Sequence, residues 1–310
     1  MSCLNVSVEI AGVSLRNPTV LASGILGTSA DLLCRVAKCG AGAVTSKSCS
    51  LEARNGHSNP TVLDWGNGLI NAVGLANPGV EEEVKELRKA VADAGVPVFA
   101  SVFGKSAEEF AEVAARVAEA KPALIELNVS CPNVFGDARL GGRLFAFDAK
   151  MVARITEAVK NRVSVPVSVK LSPNAPDLKE VALAAEDAGA DAITACNSFG
   201  PGMVIDVETG KPILSNRVGG VSGPAVKPLA VKCVYDVCSA VEVPVIATGG
   251  VTTGRDAVEM IMAGATAVGI GSAVYYRGVS VFARINAEIK AFMESHGFES
   301  LADFRAIAQE

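Results

Sequence analysis

The stretch Asn-Val-Ser-Cys-Pro-Asn at 128–133 sets a cysteine between two asparagines, directly after the apolar run Ala-Leu-Ile-Glu-Leu. A thiol with a reference pKa near ~8.5 can act as general base, general acid or covalent nucleophile, and nearby cations raise its thiolate fraction. Pro132 and the polar loop around it favour a working thiol at Cys131 over one more inert buried cysteine. No histidine is placed as a cysteine-hydrolase partner: His57 lies in a Gly/Asn-rich loop and His296 near the C-terminus, so proton transfer is favoured over acyl transfer.

Lys47 and Lys170 each sit at the end of an apolar run, where a buried ammonium is costly without an anionic partner. Something negative is expected between them, either a substrate carboxylate or a reduced flavin ring; the alternative is two lysines that snorkel to solvent. Asn71, Asn128, Asn133 and Asn197 add amides that both donate and accept, which suits a planar ring with alternating C=O and N–H edges, although single asparagines also serve turns. Thr-Gly-Gly at 248–250 and Gly-Ile-Gly-Ser at 269–272 present bare backbone of the kind that holds a phosphate, with Ser272 expected to cap the helix that follows. The competing reading is that these glycines serve tight turns only.

These groups need elements to carry them. Short β-branched runs alternate with amphipathic stretches along the chain. Strands are expected at 19–22, 43–46, 97–102, 124–128, 167–171, 192–196, 245–248 and 267–270. Helices are expected at 29–39, 78–94, 107–120, 148–162, 177–188, 225–239, 255–262 and 279–295. Eight strand–helix units without an intervening linker or repeat predict one domain over 1–310, a (β/α)8 TIM barrel, and the first eighteen residues read as a β-hairpin turning at Ala11-Gly12, placed as a lid on the barrel's bottom. A doubly wound sheet is the alternative, but Gly24-Ile25-Leu26-Gly27 lacks the G-x-G-x-x-G spacing. In a barrel the catalytic groups sit after the strands. That rule selects Ser23, Gly24, Lys47, Ser48, Ser101, Asn128 and Cys131, then Lys170, Cys196, Asn197, Ser198, Gly249, Gly250, Gly271 and Ser272.

The whole chain sets limits on partners. It has 310 residues, half of them hydrophobic, and a formal net charge of −5, so no basic field exists to hold nucleic acid or an anionic membrane. Mean hydropathy is +0.36, yet no apolar run reaches the ~18 residues of a spanning helix. No basic n-region with an apolar h-region opens the sequence, and a soluble, cytoplasmic protein is expected. Its eight cysteines include no Cys-x-x-Cys pair, which points to reduced and mostly buried thiols and to no metal site or iron–sulfur cluster of its own.

Five motifs carry a resemblance: Asn-Val-Ser-Cys-Pro-Asn (128–133), Asn-Ala-Val-Gly-Leu-Ala-Asn-Pro-Gly (71–79), Ser-Val-Lys-Leu-Ser-Pro-Asn (168–174), Gly-Gly-Val-Ser-Gly-Pro-Ala-Val-Lys-Pro (219–228) and Thr-Gly-Gly-Val (248–251). Together they resemble the catalytic subunit of class 1B dihydroorotate dehydrogenases, the NAD+-linked type. The resemblance implies one FMN per chain and oxidation of (S)-dihydroorotate to orotate in pyrimidine biosynthesis. Cys131 then removes the C5 proton while hydride passes from C6 to flavin N5. By the same resemblance substrate is held by Lys47, Asn71, Ala72, Val73, Gly74 and Leu75, with Asn128, Asn133, Asn197 and Ser198. FMN is held by Ser23, Lys47, Ser48, Asn128, Lys170 and Cys196, with Gly223, Gly249, Gly250, Gly271 and Ser272, and with Ser101 where relatives usually carry asparagine. The loop 134–148 is longer and more basic than in relatives and is expected to cover the substrate. A partner subunit with FAD and a [2Fe–2S] cluster is implied, forming a heterotetramer with a homodimer of this chain. The readings that remain open are an FMN-dependent dihydropyrimidine-type oxidoreductase, a Schiff-base aldolase using Lys170, and a non-catalytic scaffold.

Overall fold

Eight parallel strands close on themselves in chain order, each hydrogen-bonded to the next and the eighth to the first. They are Thr19–Leu21, Ala43–Thr45, Val98–Val102, Leu124–Asn128, Val167–Lys170, Ala192–Ala195, Val245–Thr248 and Ala267–Ile270. The computed structural model describes residues 4–129 and 145–310. Every one of the eight expected strands is present, because each is a run of β-branched or small apolar residues buried on both faces. The barrel helices follow within two residues of their expected ends. Local chemistry sets those ends. Ser29, Ser106 and Asp177 accept hydrogen bonds from the first turns of their helices, Thr253 forms a capping box with Asp256, and Gly189 at φ +93° stops the helix Leu178–Asp187.

Along each strand alternate side chains point inward. Ile125, Leu127, Val167, Val169, Ile193 and Ala195 face the helices in the main core. The inward series starts at the bottom with Val20, Ala43, Phe99, Leu124, Ala192, Ile246 and Ala267, an apolar layer. The hairpin of Val8–Ile10 with Val13–Leu15 closes this end, and its Ile10 and Leu15 pack on that layer. Its two-residue turn needs positive φ at both positions, and Ala11 (52°) and Gly12 (78°) supply it.

The sequence pattern did not reveal a second, four-stranded antiparallel sheet ordered Phe199–Gly202, Gly219–Ser222, Leu69–Asn71, Val62–Asp64. It is built from segments inserted after the second and sixth barrel strands, with Val221 opposite Ile70 and Gly220 opposite Asn71. Its packing depends on bare backbone: a Cβ on Gly219 would lie 2.5 Å from the Asn71 carbonyl oxygen. A short ribbon (Ile205–Asp206 with Lys211–Pro212) and a five-residue helix Ala273–Arg277 are further additions among the described residues.

Candidate active site

The strand C-termini and the inserted sheet enclose a cavity of about 320 Å³, a size that suits a small-molecule site. Lys47, Lys170, Asn71, Asn128 and Asn197 all line it, together with Ser23, Ser48, Ser198 and Cys196. So do the loop residues Val73, Gly74 and Leu75 and the rim residues Gly249, Gly250, Gly271 and Ser272. Cys131 and Asn133, with most of the loop 134–148, lie outside the described residues.

Three expected site residues lie off the cavity. Ser101 is fully buried one layer below it, where its hydroxyl meets Ser48 Oγ at 2.8 Å and donates to Glu126 Oε1 at 3.2 Å. A serine at this position is too short to pass Ser48 and reach the opening. Ala72 packs into a small apolar cluster with Ile70 and Leu214. Gly223 (φ +97°) serves a close chain crossing, since a Cβ there would meet Gly68 Cα at 2.9 Å.

Lys170 is 4% exposed and therefore does not snorkel. Its Nζ donates to Ser23 Oγ at 2.9 Å and lies 3.6 Å from the carboxylate of Glu126, so part of the expected negative partner is the protein's own. An ammonium held in such a pair has no lone pair to attack a carbonyl, which argues against the aldolase reading. Glu126 was missed because it stands inside an apolar run; its place on the inward face of that run was the available signal. The rim amides are organised by the same network. Asn197 Nδ2 donates to Asn128 Oδ1 at 3.3 Å, and Asn128 Nδ2 donates to Ser48 Oγ at 3.1 Å. The loop of Asn71–Leu75 is fixed from outside the cavity, where the His57 amide donates to the Val73 carbonyl and Arg54 Nε to that of Gly74.

The glycines divide into two kinds. Gly249 and Gly250 have positive φ, and a Cβ on either would strike Ala230 (2.5 Å) or the Lys227 backbone (2.7 Å), so chain packing alone demands them. Gly271 has neither constraint. Among the described residues, its chain neighbours apart, the nearest atom to a Cβ there is Ala22 Cβ at 3.8 Å, which leaves the cavity itself as the space kept clear. Ser272 does not cap the next helix. It has αR backbone and makes no side-chain cap bond, and a helix of five residues contributes little dipole.

Cys196 and Cys49 are poor acids, while the hydrogen bond with Cys196 lowers Cys233. A hydrogen bond with Cys233, followed by burial, pushes Cys196 well above the usual thiol range, and burial does the same to Cys49. All six described cysteines are free, half of them buried and half partly so.

A closed barrel whose rim gathers two lysines, three amides and a bare glycine around one cleft open to solvent belongs to the barrel enzymes that bind a planar or anionic small molecule at their strand ends. A family model described as dihydroorotate dehydrogenase matches residues 5–293, and the chain belongs to that family. Similar proteins include the dihydroorotate dehydrogenase B (NAD(+)), catalytic subunit, of Methanothermobacter thermautotrophicus, 48% identical over 302 residues that cover 97% of this chain and 98% of that one. The subunit of the same name from Pyrococcus furiosus is 42% identical over 307 residues, covering 99% and 100%. The crystal structure of DHODH from Eimeria tenella in complex with ferulenol shares the fold, with a TM-score of 0.86 at 22% identity over 99% of this chain and 89% of that one.

Proposed function

We infer that this chain is the catalytic subunit of an NAD+-linked dihydroorotate dehydrogenase and oxidises (S)-dihydroorotate to orotate with FMN in the rim cavity. The observation that carries this reading is the cavity itself, with Lys170 buried and aimed at it, amides around it and Gly271 bare without a packing reason among the described residues. These features fit FMN, whose ring needs donors and acceptors on one edge and whose phosphate needs exposed backbone. FMN would supply the hydride acceptor. Lys170, Ser23, Ser48 and Cys196 would hold it on one side, with the backbone of Gly249, Gly250, Gly271 and Ser272 at the phosphate. Lys47, Asn71, Asn128, Asn197, Ser198 and the backbone of Val73–Leu75 would orient the substrate's carboxylate and ring amides. Ser101 acts from one layer behind, while Ala72 and Gly223 support the inserted sheet.

The base is assigned to Cys131 on its motif, and Asn133 to the substrate on the same ground. Cys196, the one described cysteine that lines the cavity, is held well above the usual thiol range, which supports this choice. The relatives are named as catalytic subunits linked to NAD+, which supports a separate FAD and [2Fe–2S] subunit bound to a dimer of this chain. No helix among the described residues is long and apolar enough to cross a membrane.

The test is anaerobic addition of (S)-dihydroorotate to the FMN-loaded protein. Bleaching of the flavin absorbance is expected. A chain that takes up no FMN, or whose flavin stays oxidised with this substrate, overturns the reading.

A further inference from the structure

Below the cavity floor, three side chains meet a buried carboxylate. Glu126 is 5% exposed, at the centre of the barrel's middle layer. Ser101 Oγ donates to its Oε1 at 3.2 Å and Thr194 Oγ1 to its Oε2 at 3.2 Å, while Lys170 Nζ stands 3.6 Å from Oε1. Two hydroxyl donors, one on each oxygen, and a nearby cation are the environment of an ionised carboxylate, which only accepts. Because Ser101 spends its proton on Glu126, Ser48 must donate to Ser101, and Ser48 in turn accepts from Asn128, which accepts from Asn197. Donors thus run in one direction, from the rim amides down to Glu126. Among the described residues it is the only carboxylate within ion-pair distance of Lys170.

We propose that Glu126 is a positioning residue that acts through Lys170, holding the ammonium between itself and Ser23 and offsetting part of its charge, so that the pair sets how strongly the cavity favours reduced over oxidised FMN. This rests on the FMN reading above. The ammonium meets Ser23 from above and Glu126 from below, so its direction is fixed by two partners, one in the turn after the first barrel strand and one on the fourth strand. An uncompensated lysine would favour the negative charge of reduced flavin more than this one does. Glu126 does not line the cavity, so its effect on a ligand has to pass through the groups it holds.

The experiment measures dissociation constants of oxidised and reduced FMN for the full-length protein and its variants. Glu126→Gln keeps the shape and the acceptor oxygen but removes the charge. It is expected to raise the preference for reduced FMN about tenfold, which is a potential about 30 mV more positive for a two-electron couple. Lys170→Gln is expected to move the preference the other way. In the Lys170→Gln background the cation through which Glu126 acts is gone, so adding Glu126→Gln should change the ratio less than about twofold. Glu126→Asp, which keeps the charge at shorter reach, is expected to fall between parent and Gln. An unchanged ratio in Glu126→Gln, an undiminished effect without Lys170, or an Asp variant shifted as far as the Gln variant overturns the proposal while leaving the FMN reading intact. Failure of the unmutated chain to bind FMN overturns both.

Discussion

The two ends of the barrel are made from the same strands and do opposite things. At the bottom, Phe99, Leu124, Ala192 and Ile246 point inward and are sealed by Ile10 and Leu15 of the hairpin. Two residues further along the same strands the inward positions are Ser101, Glu126, Thr194 and Thr248, and another step brings Asn128 to the cavity. The bottom needs no specific partner at any position, since apolar contacts are not directional. At the top each polar group must be met by another, which the run from Asn197 down to Glu126 achieves. Inside the barrel, apolar packing is therefore concentrated at one end and chemistry at the other.

The largest test of this division is Cys131→Ala. It should keep the fold and the bound flavin yet lose about 10²–10⁴-fold in the rate of flavin reduction by dihydroorotate, roughly 3–5 kcal/mol of barrier, read by stopped-flow absorbance. Cys131→Ser should retain some rate, displaced to higher pH, because a hydroxyl holds its proton more tightly than a thiol. Parent-like reduction in the alanine variant would return the base to Lys47, Ser198 or a water. At the other end Leu15→Ala should cost about 2–4 kcal/mol of stability in denaturant unfolding, because it opens a gap under a layer with nothing to refill it. The folded fraction should reduce flavin at the parental rate. A slower chemical step in that variant would mean the two ends are not independent.

The barrel was legible because its strands, such as Val167–Lys170 and Ala192–Ala195, are buried on both faces and bounded by clear helix caps. The inserted sheet was not. Phe-Gly-Pro-Gly at 199–202 reads as a loop, and what its packing needs is bare glycine, at Gly202 under the Val221 side chain and at Gly219 against the Asn71 backbone, which leaves no side-chain period in the sequence. In the site, the lysines and asparagines were legible from their position at strand ends. Glu126 was hidden by its apolar neighbours, and its role depends on a register that sets it beside Ser101 and Ser168. Glycine alone was ambiguous: Gly249 and Gly250 looked like ligand contacts but are also required by Ala230 and Lys227, whereas Gly271 is not required by any such neighbour among the described residues.

A smaller effect asks what polar burial at the top costs. Glu83, in the first turn of the helix Val80–Asp93, is 2% exposed and lies close to Ser46 and Lys47 at the end of the second strand. Burial raises its pKa from the usual 4.5 to about 7, against the hydrogen bond from Ser46 and the pull of Lys47. The folded chain therefore holds this proton more tightly than the unfolded chain. Below about 4.5 both states are protonated and the group is neutral in its effect, while between 4.5 and about 7 the folded state binds more proton and stability falls as pH rises. Above about 7 the loss is complete, on the order of 3 kcal/mol for a gap of this size. Glu83→Gln, which cannot ionise, should match the parent near pH 4 and exceed it by about 1–3 kcal/mol at pH 8 in urea unfolding. Parallel stability curves for the two proteins from pH 4 to 8 would show that Glu83 ionises in the fold without penalty, and that the upper end of the barrel tolerates its charges better than this carboxyl implies.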